Sequence, residues 1–135
     1  MTAARCRGVL IVDDDVDIRE TIEEVLADND VPAIGAENGA VALDRLRSEA
    51  EPPCVILLDM MMPVMDGRTF RLAQKDDPAL SGIPVVVLSA HASGERVARE
   101  LEVDVYLRKP VDLKTLLDVV GRYCEPDQPA LPSKP

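Results

Sequence analysis

The stretch Cys54-Val55-Ile56-Leu57-Leu58-Asp59-Met60-Met61-Met62-Pro63-Val64-Met65-Asp66-Gly67 decides how the 135-residue chain is read. Its first five residues are apolar without interruption, too few for a stable helix and rich in branched side chains. A short run with no polar alternation reads as a strand covered on both faces, the habit of parallel sheets. Asp59 then stands at the carboxyl end of that strand, and Pro63 delays any helix until about Gly67. Two other runs, at 8–12 and 84–88, have the same character and end on Asp13-Asp14-Asp15 and Ser89-Ala90. Runs at 31–36 and 104–107 are mixed. Pro32 cannot donate to a ladder in mid-sheet, so these two are expected at the edges.

Helical stripes fall between the strands. They are Ile18, Ile22, Val25 and Leu26; then Ala42, Leu43 and Leu46; then residues 67–74 and 94–101; and finally Leu113, Leu116, Leu117 and Val120. Strict alternation of strand and helix implies an α/β fold, a doubly wound parallel sheet with helices on both faces. With the first, third and fourth strands internal, right-handed crossovers give the five-stranded, flavodoxin-like order 2-1-3-4-5.

One domain is expected over residues 1–124. Residues 125–135 carry prolines at 126, 129, 132 and 135 and read as a Pro-rich tail or linker stub that cannot join the core. A net charge of −10 opposes direct binding to nucleic acid or to an anionic membrane. No apolar run of about 18 residues and no secretory start are present, so a cytoplasmic location is expected. Cys6, Cys54 and Cys124 lack metal or redox spacing and read as free thiols.

In an open parallel sheet all carboxyl ends lie along one edge, where ligands bind. Asp13, Asp14, Asp59, Ser89 and Lys109 would therefore converge from four strands. Several carboxylates in one place repel one another and call for a cation. An all-oxygen set suits Mg²⁺, which binds through few carboxylates plus phosphate oxygens. Lys109 and Ser89 add a fixed charge and a hydroxyl, suited to a phosphoryl group, and a carboxylate can itself attack phosphorus.

The strings Val12-Asp13-Asp14-Asp15, Leu58-Asp59 through Asp66-Gly67, Leu88-Ser89-Ala90 and Tyr106-Leu107-Arg108-Lys109-Pro110 resemble the receiver domains of bacterial two-component response regulators. The resemblance covers about residues 8 to 124. It implies that Asp59 is the phosphoacceptor, that Asp14 ligates Mg²⁺ directly and Asp13 through water, and that the Met61 carbonyl completes the protein's share. It also implies that Ser89 and Lys109 contact the phosphoryl group, that Tyr106 changes rotamer on activation, and that Lys109-Pro110 is cis.

Such a protein is a signalling switch that catalyses only its own phosphorylation and dephosphorylation. The phosphoryl group would come from a histidine kinase or a histidine phosphotransfer protein. The output would pass to a downstream protein or a homodimer through the face of helix 4, strand 5 and helix 5. Positions 61 and 91 would flank the approach of hydrolytic water; with apolar Met61 on one side and His91 on the other, the lifetime should be long. The sequence departs from the family's habit at Glu102-Val103, where a Gly-Ala pair is common, and at Val111, where an aromatic often follows Lys-Pro.

Two competing readings remain at this point. An aspartyl-phosphate hydrolase would use Asp13 as nucleophile with Asp15 two positions on, but those enzymes usually carry Thr or Val where Asp17 stands. A flavin-binding module would need a hydroxyl- and glycine-rich loop after the first strand and stacking aromatics, and the chain offers neither.

Overall fold

The computed structural model describes residues 8–48 and 52–124. In chain order the elements are β1 (Val9–Val12), α1 (Val16–Asp28), β2 (Ala33–Ala36), α2 (Gly39–Ser48), β3 (Val55–Asp59), α3 (Gly67–Lys75), β4 (Val85–Ser89), α4 (Gly94–Glu100), β5 (Val105–Arg108) and α5 (Leu113–Tyr123). The strands form one parallel sheet in the order β2-β1-β3-β4-β5, as the burial pattern predicts. Pro32 lies just outside β2, where its carbonyl accepts a hydrogen bond from Val9 N at 2.9 Å.

Alternate residues of the internal strands feed two cores. Leu10, Val12, Ile56, Leu58, Val85 and Val87 meet α2, α3 and α4 through Leu43, Leu46, Phe70 and Ala98. Val9, Ile11, Val55, Leu57, Val86 and Leu88 meet α1 and α5 through Ile22, Leu26, Leu116 and Val120. Each fully buried branched side chain contributes about 1.5–3 kcal/mol, so continuous apolar strands are what hold the sheet between its helices.

Helix starts follow from local chemistry. Asp15, Asp66 and Asp112 each stand in extended backbone and accept hydrogen bonds from main-chain N–H groups of the first turn of α1, α3 and α5. Gly67 is required at the α3 start because a Cβ there would lie 2.7 Å from the Asp59 carbonyl oxygen.

One polar pair is buried on the inner face of α3. Arg71 donates to the carbonyls of Leu101 and Glu102 at 3.0 and 2.6 Å and to Gln74 Oε1 at 2.8 Å. Gln74, fully buried, donates to the Leu80 and Ile83 carbonyls at 2.9 and 3.0 Å. Glu102, where the sequence departs from the family's glycine, has φ of 57° and pairs with Lys75.

The free-thiol reading fails for Cys124, which is disulfide-bonded. Spacing along a chain says nothing about which sulfurs a fold brings together. Cys6 and the Pro-rich segment lie outside the described residues. No helix among the described residues is long and apolar enough to cross a membrane.

Candidate functional site

The register of the sheet sets the site out as a staircase. Val12 pairs with Leu58, so Asp13 and Asp59 leave neighbouring strands at the same level. Asp59 pairs with Leu88, which puts Ser89 one residue further along the adjacent strand. Ser89 pairs with Arg108, and Lys109 N donates to the Ser89 carbonyl at 2.9 Å. The expected convergence at the carboxyl edge thus comes from strand lengths alone.

Carboxylate oxygens of Asp13, Asp14 and Asp59 all lie within 4.8 Å of one another. Asp13 and Asp59 are buried at 2% and 7% exposure, while Asp14 is exposed. Lys109 Nζ bridges the buried pair, 3.1 Å from Asp13 Oδ2 and 3.3 Å from Asp59 Oδ1. The Lys109-Pro110 peptide bond is cis, as expected.

Burial pushes the Asp59 carboxyl above its ordinary range, and the nearby Asp13 adds to this. Lys109 and the Met61 N–H act in the opposite direction without prevailing. Burial would lower the Lys109 ammonium, but Asp59 and Asp13 beside it outweigh that and hold it above its usual range. Three carboxylates against one ammonium leave an uncompensated negative charge in an all-oxygen pocket. That donor set fits a hard divalent cation such as Mg²⁺ and does not fit zinc.

Ser89 is 1% exposed, and its Oγ accepts from His91 N at 3.1 Å, which leaves its own O–H free to donate elsewhere. Ser89, Met61 and His91 line a common cavity of about 270 Å³, together with Asp66 and Arg68. Met61 is 66% exposed, whereas Met60 and Met62 are buried, so only the middle methionine of the run faces solvent. Tyr106 is partly buried against the α2–α4 core. It shares with Ser89 the space left by Gly94: a Cβ at that glycine would lie 2.7 Å from Ser89 Oγ and 3.1 Å from Tyr106 Cε1.

Two further residues join the site without a sequence signal that singles them out. Arg19 Nη1 donates to the Asp13 carbonyl at 2.8 Å, fixing the end of β1 from the first turns of α1. Ser93 contacts the His91 ring. An arginine on a helix and a serine in a loop are ordinary surface residues until the fold sets them against their partners. Asp15, the proposed second acid of a hydrolase, turns its carboxylate to the amides of Asp17 and Ile18 as a helix cap and is absent from the acidic cluster.

Comparison with known proteins agrees with this geometry. The sequence profile of the response regulator receiver domain matches residues 9–121. An uncharacterized 14.6 kDa protein of Leptolyngbya boryana is 34% identical over 118 residues, covering 86% of this chain and 88% of that protein. The DNA-binding transcriptional regulator NtrC of Escherichia coli is 33% identical over 130 residues, which are 91% of this chain but only 27% of that protein. Among solved structures, the chemotaxis response regulator CheY4 of Vibrio cholerae superposes with a TM-score of 0.77 at 29% identity, covering 86% of this chain and 97% of that one. The phosphorylated cyanobacterial phytochrome response regulator RcpA does so with a TM-score of 0.75 at 30% identity, covering 96% and 99%. Matched along nearly all its sheet and helices, with the acidic pocket at the carboxyl edge, the chain belongs to the response regulator receiver domain family.

Proposed function

We propose that this domain stores a phosphoryl group on Asp59 and that the stored group switches the face built by α4, β5 and α5. The observation that carries the reading is the Lys109 ammonium held between the buried carboxylates of Asp13 and Asp59, with Asp14 at the rim. The arrangement has one nucleophilic oxygen, one fixed cation and room for a second.

Asp59 attacks phosphorus, a bond from its carboxylate oxygen to phosphorus forms, and the bond to the donor's leaving group breaks. Burial and the neighbouring Asp13 raise its affinity for an electrophile as they do for a proton. Lys109 stays within reach of the new phosphoryl oxygens, and the free Ser89 O–H supplies a donor to the same group. Asp13, Asp14, Asp59 and the Met61 carbonyl would hold Mg²⁺, which when bound offsets the charge of carboxylates and phosphoryl oxygens together.

The donor is a histidine kinase or a histidine phosphotransfer protein. A mainly apolar groove between α1 and the start of α5, lined by Ile18, Thr21, Val111 and Leu113, reaches Lys109 and supports docking of a donor helix beside the acceptor. The downstream partner is a protein or a second copy of the chain, and the net charge of −10 disfavours direct contact with nucleic acid.

The test is intact-mass analysis of the chain incubated with acetyl phosphate. One phosphoryl group should appear with Mg²⁺ and none with a chelator, and Asp59→Asn should abolish it. Labelling of the Asn variant to the parent's extent would overturn the assignment, and phosphate on Asp13 would revive the hydrolase reading.

A further inference from the structure

Arg19 finishes the end of β1 with a contact that the sheet itself does not make. β2 ends at Ala36, opposite Val12, so the Asp13 carbonyl lies beyond the last pair of the β1–β2 ladder. A part-buried main-chain carbonyl needs a donor, and Arg19 Nη1 supplies one at 2.8 Å. The arginine can reach back because it stands at the opening of α1, where its own N–H donates to the Asp15 carbonyl at 3.0 Å. Helical side chains lean toward the amino end of their helix.

The stem of Arg19 passes over β2 at Gly35. A Cβ at that position would lie 3.0 Å from Arg19 Cδ, 3.1 Å from its Nε and 2.6 Å from Glu23 Oε2. A larger residue would therefore press on the guanidinium stem and on Glu23 together. Gly35 is not among the positive-φ glycines, so it provides space rather than an unusual backbone conformation.

The Asp13 carbonyl and the Asp14 N–H share one rigid peptide plane. The Asp13 carboxylate is held by its own contacts, with Oδ1 accepting from Asp15 N at 2.9 Å and Oδ2 from Lys109 Nζ at 3.1 Å. Asp14 is the exposed member of the acidic cluster, so its aim depends on the plane that precedes it. We propose that Arg19 is a positioning residue for the cation pocket: it holds the peptide plane from which Asp14 joins Asp13 and Asp59, and Gly35 gives it the space to do so. The proposal rests on the reading of this pocket as a Mg²⁺ site. A pure charge effect would have the opposite sign, because a guanidinium near the pocket repels a second cation and its removal would tighten binding.

Mg²⁺ titration of the full chain at constant ionic strength, followed by amide chemical shifts, measures the affinity of the folded protein. Arg19→Met keeps the hydrocarbon stem but loses donor and charge, and should weaken Mg²⁺ binding by about fivefold or more. Arg19→Lys keeps the charge and a donor and should recover most of that loss. Gly35→Ala changes no charge and no ligand, yet should weaken binding by about twofold or more and shift the Asp14 and Asp15 amides in the metal-free spectrum. An Arg19→Met protein that binds Mg²⁺ as tightly as the parent, or more tightly, overturns the proposal, as does a Gly35→Ala protein indistinguishable from the parent. A parent whose amides at residues 13–14 and 59–61 do not respond to Mg²⁺ overturns the reading of the pocket as a cation site and the proposal with it. That outcome is told apart because it appears before any residue is changed.

Discussion

Asp59 shows how one residue can be costly to the fold and still belong to the buried acidic cluster. Burial, then Asp13, lifts its carboxyl above the ordinary range, so the folded chain binds the proton more tightly than the unfolded chain does. Stability from this group therefore falls as pH rises from the ordinary carboxylate range through the folded value. Asp59→Asn removes the buried charge while Lys109 keeps Asp13 as a partner. In a chelator at neutral pH the variant should be more stable than the parent by on the order of 1 kcal/mol, and the difference should shrink toward about pH 4. Urea titrations at both pH values check it, and a variant less stable at neutral pH would refute it. Val64 is a second costly residue, a β-branched side chain at φ of 67° and 85% exposed. It packs against little that could repay the left-handed backbone. Val64→Gly should raise stability by about 1 kcal/mol, read from the same titrations.

At the scale of elements, α3 and α4 are joined by chemistry that periodicity does not reveal. Arg71 and Gln74 sit on the buried side of α3 beside Phe70, where an apolar stripe would place hydrocarbon. They are admissible there because their donors meet four main-chain carbonyls, at Leu101, Glu102, Leu80 and Ile83. Arg71→Met would strand two of those carbonyls in the interior and should cost about 2–4 kcal/mol. Amide hydrogen exchange should rise most over residues 97–103, the end of α4. By contrast the Arg68–Glu100 pair, 3.8 Å apart with both side chains about half exposed, should contribute little. Arg68→Ala should change stability by less than about 0.5 kcal/mol. Equal losses for the two variants would show that the buried carbonyl contacts do not brace α4.

Across the whole molecule, the carboxyl edge of the sheet and the α4–β5–α5 face meet at Gly94. Ser89 and Tyr106 both crowd the space beside this glycine, so movement of either side chain alters the space available to the other. A phosphoryl group that draws in Ser89 should therefore shift Tyr106 and the surface around it. A switch of useful size requires several kcal/mol of preference between two states, so partner affinity should change at least about tenfold. Amide chemical shifts with and without a phosphoryl mimic should differ over α4, β5 and the start of α5. Changes confined to residues 13–14, 59–61 and 89 would refute long-range coupling, and Tyr106→Ala should confine them in that way.

The sequence by itself determined the sheet and its working edge. Unbroken apolar runs must be covered on both faces, strict alternation forces parallel crossovers, and each strand carries its own terminal residue, so Asp13, Asp59, Ser89 and Lys109 were placed by local pattern alone. Tertiary structure decided what those residues touch. The Lys109 bridge to Asp13 joins positions 96 residues apart, and the Arg71 brace reaches 31 residues to Glu102. Even the contact of Ser93 N with the His91 ring, between residues two apart, depends on the backbone path of a loop. Propensity and periodicity act over a few residues, whereas hydrogen-bond partners and buried charge are fixed only when packing closes distances that the chain leaves open.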